Sequence, residues 1–348
     1  MNRRDVVLQT INNKKATNSK GNPIAKALLS GGTWAFRQQG LSLRAGLDVP
    51  EKAARIIVET NEKVGSDIVW PGSGYHNLLI EALGGKITFR PQGNIDVASP
   101  LLSSVADIDS IKIGSLQRNV WIASVRKMIA YTQQAVGQEY LVGTSSWGPF
   151  TLAGQFLGVE KLMIGLYKDK PGIHALMEFT SEVCFQYLAP AVAQGASILS
   201  IAEPTASGDL VSLRHFEEFV APYLKKVNEC LKQLNAITTL HICGNITDRL
   251  PVIPHLGVDL LSVDYKVNLT HAKDVLGNKV ALAGNVNPMI LKDGSTADVA
   301  AAAEQCITDA GQEGNFILMP GCDIPPSVSL ENIQAFLGVP SYKERAVN

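Results

Sequence analysis

Between positions 140 and 319 the sequence repeats one pattern: a short continuous apolar run, then a stretch with helical periodicity. The runs fall at 140–144, 197–202, 238–244, 260–264, 279–285 and 315–319. A strand with one wet face alternates polar and apolar residues. A continuous apolar run instead fits a parallel strand covered on both faces. Earlier runs bring the candidate strands to eight, near 30, 68, 141, 199, 240, 262, 282 and 317. Eight strand–helix units predict an α/β fold, a (β/α)8 TIM barrel, as a single domain over 1–348 with an N-terminal helical extension at 3–13. An open doubly wound sheet would call for Gly-x-Gly-x-x-Gly after an early strand, and none is present.

The helical stretches are read at 50–64, where Pro50 suits a first turn, and at 119–136, 150–167, 172–193 and 212–233. Others follow Asn245 and cover 297–310 and 330–338. Residues 84–118 are irregular, with a hairpin suggested by Lys86-Ile87-Thr88-Phe89-Arg90.

Composition narrows the function. Of 348 residues 46% are hydrophobic and 18% charged, and the net charge is −1. That balance, with no basic run, argues against nucleic acid and anionic membranes as partners. No apolar run reaches the ~18 residues of a membrane-spanning helix, and the first residues do not read as a targeting signal. Five cysteines, an odd number, argue against a disulfide framework and for a cytoplasmic protein. Cys184, Cys230 and Cys306 fall in helical patterns and read as small core residues.

A barrel carries its working residues at the C-terminal ends of the strands. Here those ends bear Arg37, 73–76 with His76, Ser146 and Trp147, Glu203, His241 with Cys243, Asp264, Asn285 and Cys322. A strand has period two, so His241 and Cys243 share a face. An imidazole and a thiol side by side are half of a zinc site. Cys322, which ends the last apolar run, is the candidate for the other half. Each of the three alone reads as a core residue; together at one rim they read as ligands. Asp264 is either a fourth ligand or the acceptor for an imidazole N–H. Glu203 reads as a pocket acid or a salt-bridge partner. Arg37, Ser146, Asn245 and Asn285 are possible substrate contacts. His76 orients substrate or is a plain loop histidine, and Trp147 lines the rim or packs the barrel top. His174, His215, His255 and His271 read as surface residues.

The chain resembles the uroporphyrinogen decarboxylase superfamily, and within it the zinc-dependent methylcobamide:coenzyme M methyltransferases. The resemblance covers nearly the whole chain. It rests on Gly148-Pro149-Phe150-Thr151-Leu152-Ala153-Gly154, Glu203-Pro204-Thr205-Ala206-Ser207, His241-Ile242-Cys243-Gly244-Asn245 and Pro320-Gly321-Cys322-Asp323-Ile324-Pro325-Pro326. It implies His241, Cys243 and Cys322 as zinc ligands. Cobalamin-independent methionine synthase, a more distant relative, implies a carboxylate one strand further on, where Asp264 falls. The decarboxylase branch fits less well. Trp34-Ala35-Phe36-Arg37 keeps one of its two arginines, but Leu41 holds the place of the second. Its pyrrole-gripping aspartate has no match between Trp70 and Tyr75. Gln155 stands for its tyrosine and Cys322 for its histidine. Tetrapyrrole decarboxylation is therefore not expected.

The resemblance implies methyl transfer from a methylcobamide to a zinc-activated thiol such as coenzyme M. No Asp-x-His-x-x-Gly motif is present, so the corrinoid would arrive on a partner protein. Two other functions fit the same residues. One runs methyl from a methylated substrate, such as an aryl methyl ether, to the corrinoid protein. The other is a non-catalytic corrinoid- or tetrapyrrole-binding protein whose zinc is structural and closed by four protein ligands.

Overall fold

The computed structural model describes residues 2–12, 24–29, 32–91, 93–311 and 314–340. Eight parallel strands form one sheet: β1 (Ala25–Lys26), β2 (Ile68–Val69), β3 (Leu141–Trp147), β4 (Ile198–Ala202), β5 (Ile237–Ile242), β6 (Leu260–Val263), β7 (Ala281–Val286) and β8 (Phe316–Pro320). Their order is β1-β8-β7-β6-β5-β4-β3-β2. The two end strands meet where Asp67 N donates to Lys26 O at 2.7 Å and Lys26 N donates to Asp67 Oδ2 at 2.8 Å. The sheet thus curls into a nearly closed barrel wrapped in helices, the TIM-barrel architecture expected. No described helix is long and apolar enough to cross a membrane.

Strand parity sorts the core into two compartments. Val69, Val142, Leu199, Ile201, Leu240, Ile242, Leu261, Val263, Leu282 and Leu318 face outward into the large core shared with the helices. Ile68, Leu141, Ile198, Leu260, Ala281 and Ile317 face inward and fill the barrel's lower half. Helix α1 (Arg3–Asn12) plugs that end with Val7 and Ile11. It is fixed there by Arg3, whose guanidinium donates to Gly65 O and Asp67 Oδ1.

Four expectations need correction. The first strand, expected near 30, lies earlier and is short, and the apolar residues from Gly32 on are helical. They form α2 (Gly32–Gln38), buried from Gly32 through Phe36. A helix buried all round has the apolar profile of a strand, so periodicity does not separate them. The helix read at 150–167 is two, α3 (Pro149–Leu157) and Val159–Lys168, because Gly158 takes φ +92°. The one read at 212–233 breaks at Val220, before Pro222, into Leu213–Phe219 and Ala221–Lys232. After Asn245 only short 3-10 turns form, at Thr247–Arg249 and Ile253–His255. Pro251 and Pro254 lack the N–H that a regular helix would use. The helices Pro50–Val64, Val120–Val136 and Leu330–Gly338 lie where periodicity predicts them.

Candidate metal centre

His241 is the last inward-facing residue of β5. Its cross-strand neighbour on β6 is Ser262, and the ring Nδ1 lies 3.0 Å from Ser262 Oγ. With Nδ1–H donating to that hydroxyl, the lone pair belongs to Nε2, which points to Cys243 Sγ at 2.9 Å. Cys243 sits two residues on and returns to the same face. Cys322, at the end of β8, brings its Sγ to 3.1 Å from Cys243 Sγ. The three ligand atoms lie within 4.8 Å of one another, from positions 79 residues apart.

The turn that presents Cys243 is held from three sides. Gly244 takes φ +84°, and a Cβ there would come within 2.5 Å of Asp209 Oδ2, so glycine is required. Asp264 Oδ2 accepts from Gly244 N at 2.9 Å, and Oδ1 accepts from Lys266 N at 3.0 Å. Asp209, paired with Lys266 at 2.8 Å, accepts from Asn245 N at 3.3 Å.

Protons at this site are in conflict. The Cys243 thiol directed at Cys322 Sγ, with His241 acting the same way, holds Cys322 below its ordinary range. The same contact, burial and the nearby Asp264 push Cys243 up. Two sulfurs in contact cannot both ionise cheaply; a divalent cation between them removes the conflict. The donor set fits such an ion. In a tetrahedron with bonds of about 2.0–2.3 Å, donors stand roughly 3.5 Å apart, the scale seen here. Among the described residues this is the one group of at least three His, Cys, Asp or Glu side chains close enough to share an ion.

The other predicted site residues separate. Asp264 lies outside the converging trio, and the imidazole acceptor is Ser262, which the sequence reading missed. Glu203 is neither a pocket acid nor a salt-bridge partner among the described residues. It is fully buried, and its carboxylate accepts from Phe150 N at 2.9 Å, Thr151 N at 2.8 Å and Thr151 Oγ1 at 2.7 Å. It caps α3 from the neighbouring strand, in space left by Gly148, where a Cβ would overlap it. Burial still pushes its pKa up to about 7.

Ser146 is fully buried and faces outward toward Cys184; the inward hydroxyl of β3 is Ser145. Asn285 is spent on backbone, its amide donating to Asp264 O at 3.0 Å and Val267 O at 2.7 Å. Asn245 is exposed, and its side chain accepts from Thr247 N and Oγ1. Arg37, exposed on α2, lines a cleft of about 220 Å³ with Thr33, Ser42 and Pro91, whose walls include none of the three donors. His76 does reach the barrel interior. Its Nε2 is 2.5 Å from Ser145 Oγ and its ring lies 4.7 Å from that of Trp147. Burial lowers its pKa to about 4, so the ring is neutral at neutral pH. Trp147 Nε1 donates to Asn77 Oδ1 at 2.6 Å. Of the histidines read as surface residues, His255 and His271 are exposed. His174 is half-buried against Phe219, and His215 is buried between Tyr167 and Phe219.

Residues 35–339 match the family described as uroporphyrinogen decarboxylase (URO-D). The chain belongs to the URO-D family. Among curated relatives, a methylcobamide:CoM methyltransferase of Methanosarcina mazei is 32% identical over 234 residues, 67% of this chain and 67% of the relative. One from Methanosarcina barkeri is 31% identical over 265 residues, 75% of each. This URO-D chain therefore groups with the methylcobamide:CoM methyltransferases. A solved methyltransferase from Methanosarcina mazei shares its fold, with TM-score 0.85 over 97% of this chain and 98% of that one, at 24% identity.

Proposed function

We propose that this chain moves a methyl group from a methylcobamide, carried by a separate corrinoid protein, to a thiol such as coenzyme M held at a zinc centre. That it is a corrinoid-dependent methyltransferase follows from its family. The zinc and the direction of transfer are the proposal. One observation carries it: one imidazole and two thiols converge at the mouth of a barrel and leave a tetrahedral metal one position short. A structural zinc site is closed by four protein ligands, whereas a working site keeps a place open.

His241, Cys243 and Cys322 would hold the metal. Bound there, zinc would lower the pKa of an incoming thiol and keep it as thiolate at neutral pH. The chain's own residues do the rest. Ser262 fixes the His241 tautomer so that Nε2 faces the site. Asp264, which stands outside the converging trio, pins the Gly244 turn through Gly244 N and Lys266 N and acts as its support. The cysteine pair would supply two negative charges to offset those of a divalent ion. The proposed transfer would form an S–C bond on the acceptor thiol and break the C–Co bond of the methylcobamide with its electron pair left on cobalt, the thiol proton passing to solvent. No side chain need act as general base.

Zinc stoichiometry and methylcobalamin turnover test this together. Wild type should hold about one zinc per chain and, with thiol present, convert methylcobalamin to the cob(I) form with its spectral change. Cys322→Ala should lose both. Unchanged zinc content in Cys322→Ala would defeat the ligand assignment. Methylation of cob(I)alamin by a methylated substrate, without thiol-dependent demethylation, would reverse the direction.

A further inference from the structure

The turn that carries Cys243 leans on a loop from the neighbouring strand, residues 206–211 after β4. Gly208 N donates to Asn245 O at 2.7 Å, and Asp209 Oδ2 accepts from Asn245 N at 3.3 Å. The fit is tight. A Cβ on Gly244 would come within 2.5 Å of Asp209 Oδ2 and 3.0 Å of Ser207 Oγ, and one on Gly208 within 2.8 Å of Asn245 O. Inside the loop, Ser207 O accepts from Leu210 N at 3.1 Å and Val211 N at 2.9 Å. One side chain then joins the two ends. Arg249 has no exposed surface; its Nη1 donates to Ala206 O at 2.5 Å and its Nη2 to Val211 O at 2.9 Å. Asp248 takes Nε at 2.9 Å and shares Nη2 at 3.3 Å, and the guanidinium carbon lies 5.1 Å from the centre of the Phe216 ring. A buried guanidinium is costly unless its donors are met. Here two of its nitrogens are met by the loop beside the metal centre. Arg249 stands in the 3-10 turn Thr247–Arg249, six residues after Cys243, so the strand that supplies the sulfur also supplies the clasp.

We propose that Arg249 is a positioning residue for Cys243: by clasping both ends of the 206–211 loop it fixes the surface that sets the Cys243 sulfur at the metal centre. The proposal rests on the zinc reading above and adds a residue that touches neither metal nor substrate. The path from guanidinium to sulfur is short. It runs through the carbonyls of Ala206 and Val211, the contacts of Gly208 and Asp209 with Asn245, and the backbone of Gly244. Arginine suits this task, because its planar fork holds two acceptors at a fixed spacing, whereas lysine offers one compact charge on a flexible stem. The other two donors are placed by other means. His241 is set by β5 and Ser262, and Cys322 stands at the end of β8. Loss of the clasp therefore displaces one sulfur and leaves the imidazole and the second sulfur in place.

Two variants of the full chain test it. Arg249→Met keeps the length of the side chain and removes its donors. Gly208→Ala keeps Arg249 and pushes Asn245 off the loop. Chelator competition measures the zinc affinity of the folded protein. Cobalt(II) in place of zinc gives a thiolate-to-metal charge-transfer band whose strength counts the coordinated sulfurs. Wild type should show the band of two thiolates. Each variant should bind zinc roughly tenfold to a hundredfold more weakly, the loss that follows when a ligand's orienting support is removed, and should show the band of one thiolate. Arg249 with a purely structural role would lower the melting temperature and move neither readout. Either variant, folded, with wild-type zinc affinity and the band of two thiolates would overturn the proposal. So would loss of the whole band, which would mean that the site collapses and that no single sulfur is displaced. Should Arg249→Met fail to fold, Gly208→Ala decides by the same two readouts. Absence of zinc binding in wild type is a separate failure. It removes the zinc reading, and this proposal with it.

Discussion

The lower and upper halves of the barrel interior come from the same strands and the same period-two alternation, yet they are built for opposite ends. Leu141, Ile198, Leu260 and Ile317 below are apolar and fully packed under α1. Above them, Ser145, Ser200, Thr239, Ser262 and His241 offer hydroxyls and an imidazole, and at the rim two thiols crowd to 3.1 Å. One half lowers the free energy of the fold by apolar burial; the other gathers polar side chains and sets two thiols against each other. Stability and function are thus separated by about two residues of strand length, and substitutions in the two halves should part accordingly.

The largest effect on folding belongs to the lower half. Ile198→Ala removes a side chain with no exposed surface from the middle of that packing. It should cost about 2–5 kcal/mol of unfolding free energy by urea denaturation, while zinc affinity measured by chelator competition stays within twofold of wild type. A fall in zinc affinity with it would mean the two halves are coupled and the division drawn here is wrong.

Glu203 tests the wall between barrel and helices. Its raised pKa, about 7 against an unfolded value near 4.3, means that the folded protein holds this proton more tightly than the unfolded chain. The stability it contributes is therefore complete below about pH 4.3 and is lost as pH rises through about 7. Over that window wild type should lose about 2–3 kcal/mol relative to Glu203→Gln, which cannot ionise. Denaturation curves from pH 4.5 to 8 measure the difference. A difference of opposite slope would show that the three donors to the carboxylate outweigh its burial.

The sequence disclosed the strands of the second half of the barrel because both their faces are apolar, and it disclosed that His241 and Cys243 converge because they share a parity, with Cys322 at another strand end. It did not disclose where side chains point when hydroxyls neighbour one another. Ser145 and Ser146 are alike as residues, and a one-residue step decides which faces the site. Glu203 resembled a pocket acid because it stands at a strand end; only the packing of α3 shows what its oxygens hold. Short breaks in helices were hidden for a related reason. Gly158 and Pro222 interrupt patterns whose apolar periodicity runs on past them.

The smallest effect, and the one that most sharpens the contrast between the halves, belongs to Ser262. It lies on β6 two residues above Leu260, and its hydroxyl is the partner of His241 Nδ1, 3.0 Å away. Ser262→Ala removes no packing volume of consequence, so unfolding free energy should change by less than about 1 kcal/mol. Zinc affinity should fall roughly tenfold to a hundredfold, the loss expected when a ligand histidine is released from its orienting partner. Ser262→Thr, which keeps the hydroxyl, should recover most of it. Nitrogen NMR of the imidazole gives a readout that packing alone would not move: Nδ1–H should dominate in wild type, and the two tautomers should mix in Ser262→Ala. If the alanine variant keeps both its zinc affinity and its tautomer, His241 is oriented by the strand alone, and the upper half owes less to its hydroxyls than the geometry implies.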